Sequence, residues 1–213
     1  MTSTYHHGNL RTALLDAAER KLADSGVDGL SLRELARDLG VSHGAPRRHF
    51  PDKQSLLDAL AATGLRRLGE EVDAALDAAE ADFTGRLTAF AAAYVRFATR
   101  SPELLELMFL RKSTPATDEV RVANERAFAA PSALIDRAME RGEIDGSDPD
   151  RVAMAILAVL QGLTTIVLGG LAGDRSNEDL VTGTVLTLVE GLRPRDQNPR
   201  KTPSSSTASA NSA

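Results

Sequence analysis

Apolar residues recur along this chain at helical spacing, and nowhere do they alternate over the length of a strand. Leu10, Leu14, Ala17, Ala18 and Leu22 fall on one helix face, as do Phe83, Leu87, Phe90, Tyr94 and Phe97 further on. A chain patterned this way hides its apolar surface by packing helix on helix. Its side chains suit that role. Hydrophobic residues make up 42% of the 213, yet aromatics are only 4% and Trp is absent. Leu, Ala and Val must therefore fill the core, a composition better matched to helices than to sheets. The expectation is an all-α fold of about nine helices.

Capping and breaking residues divide the pattern. Ser25-Gly26 ends the first helix. Ser31 with Glu34 three residues later has the form of a capping box, and Gly40 ends the short helix that follows. Ser42 is placed to cap a helix over 43–49. Asp52 caps a long helix running to about Ala79. Helices are expected over 83–100, from Pro102, over 117–141 with a kink at Pro131, from Asp148-Pro149 to about Gly170, and from Ser176 or Asn177 to Leu192.

The short second and third helices, joined by Gly40-Val41-Ser42, have the form of a helix-turn-helix. Ala36 is small where the helices must cross, and Leu35, Leu39 and Val41 are the apolar residues that would hold the third helix proud of the surface. Such a helix fits the major groove of DNA. It carries Pro46 within or just past its first turn, together with His43, Arg47, Arg48 and His49, which add charge and donors beside phosphates. Lys53 follows at the next helix N-terminus, where backbone N–H groups also attract phosphate. A purely structural hairpin is the alternative.

Residues 5–68, and within them the pattern GVSxGxxxRHFxxKxxLL, resemble the N-terminal domain of TetR-family transcriptional regulators. The stretch AAAYVRFATRSPELLELMF at 91–109 resembles the effector domain of a TetR subgroup marked by a Trp-His-Gly pattern, where this chain has Gln161-Gly162 for His-Gly. The resemblance implies a three-helix DNA-binding domain at 5–52 and a ligand-binding and dimerisation bundle at 53–192. It further implies a ligand-responsive regulator, most simply a repressor, that binds a palindromic double-stranded DNA operator as a homodimer and is released by a small molecule. The residues expected at DNA are Ser31, Arg33, Ser42, His43, Gly44, Ala45, Pro46, Arg47, His49 and Lys53. Ala45 and Arg47 stand where the family commonly has a phosphate-contacting Thr and Tyr, so the operator sequence is not inherited with the fold. The ligand candidates are Phe90, Tyr94, Phe97, Met108, Phe128, Met154 and Gln161. The last is polar in a helix without charge, so it should bond a ligand, a water or a partner chain.

Charge separates the same regions. Residues 1–67 hold ten Lys/Arg and eight Asp/Glu, 68–192 hold eleven and twenty-one, and the remainder four and one. A mildly basic front on an acidic body fits a DNA-facing end and a body with another task. Residues 193–213, Pro/Ser-rich and short of large apolar groups, are expected to be disordered. The chain has no Cys, which excludes disulfides and thiol chemistry. With no apolar N-terminal run, it points to the cytoplasm. His6, His7, His43 and His49 lack metal-ligand spacing, and the acidic run 143–150 misses the calcium-loop pattern. No catalytic residue, metal or cofactor is expected.

One segment suggests a rival. Val152 to Gly173 is 22 residues without a charge, long enough to span a bilayer. A membrane-anchored helix-turn-helix protein is the alternative. Against it stand Gln161, Thr164, Thr165 and the glycines, with no close positive cluster. The competing expectation is a helix buried on its own core and on a twin subunit. Val181, Val185, Leu188 and Leu192 of the last helix would complete a four-helix bundle at a two-fold axis.

Overall fold

Capping side chains start four of the eight helices among the described residues. The computed structural model describes residues 10–80, 82–113, 117–145 and 148–194. These form α1 (Leu10–Ser25), α2 (Leu32–Asp38), α3 (Lys53–Ala78), α4 (Phe83–Arg100), α5 (Pro102–Ser113), α6 (Asp118–Glu140), α7 (Pro149–Leu168) and α8 (Asn177–Leu192), with a 3₁₀ turn at Pro46–Arg48 between α2 and α3. No strand occurs among the described residues. Of the tail expected over 193–213, residues 195–213 lie outside them.

The caps are visible as bonds. Asp52 Oδ1 accepts from the Ser55 backbone N–H at 2.8 Å, Asp82 Oδ1 from Gly85 N–H at 2.6 Å, Asp148 Oδ1 from Asp150 and Arg151 N–H, and Ser176 Oγ from Asp179 N–H at 3.0 Å. Each satisfies a donor that the first helical turn leaves open. The bonds from Ser55 hold the Asp52 carboxyl below its usual range. Its contribution is therefore in place above the ordinary carboxylate pKa and lost as the pH falls through the lowered one. The box expected at Ser31 does not form. Ser31 is extended at the head of α2, but its side chain makes no cap bond.

The α2 terminus shows why Gly40 is glycine. Val41 N–H donates to Ala36 O at 2.9 Å and Gly40 N–H to Arg37 O at 3.1 Å, while Gly40 has φ +66°. This is the Schellman arrangement, in which the residue past the cap turns left-handed. A Cβ there meets no neighbour, so only backbone strain opposes one. Gly40→Ala is expected to lower stability by about 1 kcal/mol. An unchanged urea midpoint would contradict that account.

Helix α3 is the spine. It leaves the 3₁₀ turn and runs into the body, packing on α1, α4, α5 and α6. Gly69 lets α6 approach, since a Cβ on it would lie 3.0 Å from Ala127 Cα. Leu56, Leu60, Leu68 and Val72 are essentially inaccessible to solvent. Buried within this core is an ion pair, Arg111 Nε to Asp58 Oδ1 at 2.6 Å, joining α5 to α3. Gln54 lies beside it, its side-chain amide against the same guanidinium. Helices α7 and α8 pack onto α4, with α7 also against α6.

Candidate functional site

The turn after α2 is exposed and basic, but it is not the α-helix expected over 43–49. Ala45 N–H donates to Ser42 O, Arg48 N–H to Ala45 O and His49 N–H to Pro46 O, all three spanning three residues. Pro46 is the reason. It has no N–H to give Ser42, and its ring crowds the carbonyl four residues back, so an α-turn is blocked. Nor does the Ser42 side chain cap the turn. The chain accepts a 3₁₀ geometry that ends as Phe50 N–H returns to Pro46 O at 2.9 Å.

Of the residues expected at DNA, Arg33, Ser42, His43, Gly44 and Arg47 are exposed, with Arg48 beside them. Ser31, His49 and Lys53 are half-buried. Lys53, the first residue of α3, donates from Nζ to Asp28 O at 3.5 Å, which ties it to the loop before α2. Two residues are placed otherwise than expected. Pro46 is buried and serves the fold instead of DNA. Ala45 is half-buried against the core, so its methyl is only partly available to a base. Phe50 anchors the turn from below at 2% exposure, with the Arg11 guanidinium over its ring at 5.4 Å.

A cavity of about 420 Å³ lies in the body between α4, α6 and α7. Phe90, Phe128 and Met154 of the expected ligand residues line it, with Ile135 and Leu157. Its size falls in the range of small-molecule sites. Tyr94 and Met108 instead border a neighbouring cleft of about 10 Å³, too small for a ligand. Phe97 is 1% exposed and belongs to the core, with Arg100 stacked 5.8 Å from its ring. Gln161 finds its partner inside the chain, where Tyr94 Oη donates to its Oε1 at 3.2 Å. Burial pushes the Tyr94 phenol above its ordinary pKa, which keeps that donor proton in place.

Three polar residues at the cavity were not anticipated. Asn124, Ser132 and Asp150 all line it. Asn124 was legible as a polar interruption in the inward stripe Val120, Ala127, Pro131, Leu134 of α6. Asp150 carried no signal beyond its place in the first turn of α7, where any acid suits the helix dipole.

The side of α7 away from the core is bare. Leu168 is 48% exposed, Ala155, Ala158, Gly162 and Thr165 are exposed as well, and Met154, which lines the cavity, is itself 64% exposed. On α8, Val181 and Val185 are buried in the chain's own core, against the expectation that they face a twin. Leu188 and Leu192 are half-buried. Between Val181 and Val189, the residues left open on α8 are Gly183, Leu186 and Thr187.

Comparison with known proteins agrees with this layout. Residues 14–60 match the family of bacterial regulatory proteins of the tetR type, and residues 87–188 match a tetracyclin repressor-like C-terminal domain. The chain is 40% identical to a protein of unknown function from Rhodococcus sp. RHA1, over 91% of this chain and 100% of that one, with a TM-score of 0.82. It is 42% identical over 57 residues to the class D tetracycline repressor of Escherichia coli, covering 27% of this chain and 26% of that protein. It is 39% identical over 64 residues to the transcriptional repressor AcnR of Corynebacterium efficiens, covering 30% of this chain and 34% of that protein. The match thus spans about a quarter to a third of these two curated relatives. With a matching domain at each end, the chain belongs to the TetR family, whose members are DNA-binding transcriptional regulators.

Proposed function

We propose that the protein is a repressor that binds a palindromic operator as a homodimer and lets go when a small molecule occupies the cavity between α4, α6 and α7. The observation that carries this reading is the exposed basic turn, held out by the Schellman cap at Gly40 and by buried Pro46 and Phe50. Residues 5–52 are the DNA-reading unit and 53–192 the ligand and dimer unit, with α3 common to both in space. Two such turns about 34 Å apart would meet successive major grooves. A ligand preferred by one arrangement of the dimer over the other would then shift DNA affinity. The names of the curated repressors support the sign of the effect, and the cytoplasm is where such a protein would act.

Selection of duplex DNA from a random pool by the full chain tests it. A palindromic consensus bound by two copies is expected, and no enrichment over many rounds would refute the reading. Arg47→Ala is expected to weaken binding to the selected duplex about equally on related sites. The slope of log K against log salt should fall by about one per half-site, the loss of one phosphate contact. If Arg47→Tyr changes the preferred bases, Arg47 reads sequence instead.

The membrane-anchored alternative rests on α7, which is long and apolar enough to cross a bilayer. The packing favours the first reading. Leu160, Leu163 and Thr164 are buried in the chain, and Gln161 is bonded to Tyr94. Recovery of the protein in the carbonate-washed membrane pellet would reverse that preference.

A further inference from the structure

The cavity between α4, α6 and α7 is long and narrow. On α6 its wall runs from Asn124 through Phe128, Pro131 and Ser132 to Ile135, residues that share one helix face. That stretch of helix rises about 16 Å. On α7, Ala153, Met154, Ile156 and Leu157 form the facing wall, and Phe90 of α4 completes it. Spread along that length, the 420 Å³ leaves a section of about 26 Å², about 5 Å on a side. Carbon atoms touch at about 3.5–4 Å, so the section admits one hydrocarbon chain and excludes a fused-ring body. The two ends differ. Met154, 64% exposed, stands at the mouth. At the other end Asn124 and Phe128 also border the cleft of about 10 Å³, which is too small to extend the passage. Charge is missing from the interior. Among the described residues no lysine, arginine or histidine lines the cavity, so a carboxylate or phosphate drawn inside would lose its hydration with no cation to replace it. Asp150 is exposed to water, so an ammonium drawn inside would meet no counter-charge either.

From this shape and lining we infer that the cavity takes a neutral, unbranched aliphatic molecule, its single chain lying along α6 between Met154 and Asn124. The inference rests on the reading of this cavity as the effector site. It adds the class of effector, which neither the family match nor the fold specifies. A nonspecific apolar crevice would take any lipophile of similar carbon count. Shape and charge therefore have to be varied separately.

Three ten-carbon compounds do so: decan-1-ol, decanoate and 1-adamantanol, titrated into the full chain by calorimetry within their solubility. Decanol and adamantanol carry the same number of carbons and one hydroxyl each, and differ in shape. Decanol should bind at least about tenfold more tightly than either of the others. Octan-1-ol and hexan-1-ol should weaken by about tenfold for each two methylenes removed. Leu157→Trp, which fills part of the passage, should bring decanol down to the level of hexanol while sparing hexanol. Ala153→Phe, at a half-buried position, repeats the measurement should the tryptophan variant fail to fold, which circular dichroism reports. Equal affinity for decanol and adamantanol, tighter binding of decanoate, no gain from hexanol to decanol, unchanged decanol binding in the folded variants, or no binding of any compound would overturn the inference. Release of the selected duplex is measured separately. If decanol binds with the expected selectivity but leaves DNA binding unchanged, the assignment of the aliphatic site stands and the ligand-released reading fails.

Discussion

Ala158→Arg is expected to leave the fold intact and the protein monomeric. Ala158 lies on the bare face of α7, with Ala155, Gly162 and Thr165 as neighbours along the helix. These small side chains let a second helix approach closely, and Gly183 on α8 is similarly open, with nothing within 4 Å of a Cβ placed there. A long helix without charge from Val152 on, with so little of its surface buried in its own chain, is stable in water when another apolar surface covers it. A second copy supplies a self-complementary one about a two-fold axis. Arginine at 158 would appear twice near that axis, desolvated and like-charged, at a cost that a surface position in a monomer would not incur. Light scattering should then report one chain for the variant and two for the parent protein, the homodimer proposed above. Affinity for the selected palindrome should fall by at least about 100-fold, since the two half-sites are no longer engaged together. A variant that remains dimeric at micromolar concentration places the interface elsewhere.

The second large effect is expected at Asp58. Its carboxylate and the Arg111 guanidinium are 5% and 8% exposed as residues and meet at 2.6 Å. Removing one partner of a buried pair strands the other charge, so Asp58→Ala should cost about 3–5 kcal/mol of stability. Replacing both, as Asp58→Leu with Arg111→Met, should recover most of that loss, because two apolar groups of similar shape remove the desolvation penalty along with the attraction. Urea denaturation of the two variants separates these cases. If Asp58→Ala unfolds at the parent midpoint, the pair is solvated in solution. The pair also joins α5, which borders the cleft at Met108, to the first third of α3, which begins five residues after Arg48. Operator affinity of the double variant would show whether the charge itself serves DNA binding or only the fold.

Helix starts were legible because their signals are local. A cap acts within three residues, so Asp52, Asp148 and Ser176 could be matched to their open N–H groups from the sequence alone. Ser31 had the same local signature and formed no such bond. At 43–49 the expected helix places Pro46 within or just past its first turn, where a missing N–H costs least, but the clash with the Ser42 carbonyl makes the turn 3₁₀ instead.

The sequence by itself determined the class of fold, the order and approximate ends of the helices, and the basic turn at the N-terminal end, all properties that depend on residues within about one or two helical turns of each other. Tertiary structure alone decided which apolar side chains face their own core and which are left exposed: Val181 and Val185 went inward, while Ala158 and Gly162 were left outside. It also decided that Gln161 meets Tyr94 across 67 residues, that Asp58 meets Arg111 across 53, and that Phe90, Asn124 and Asp150 share one cavity. An apolar stripe specifies that a face must be covered but not by what. The partner is chosen by the packing of helices distant in sequence, whose positions no local pattern encodes.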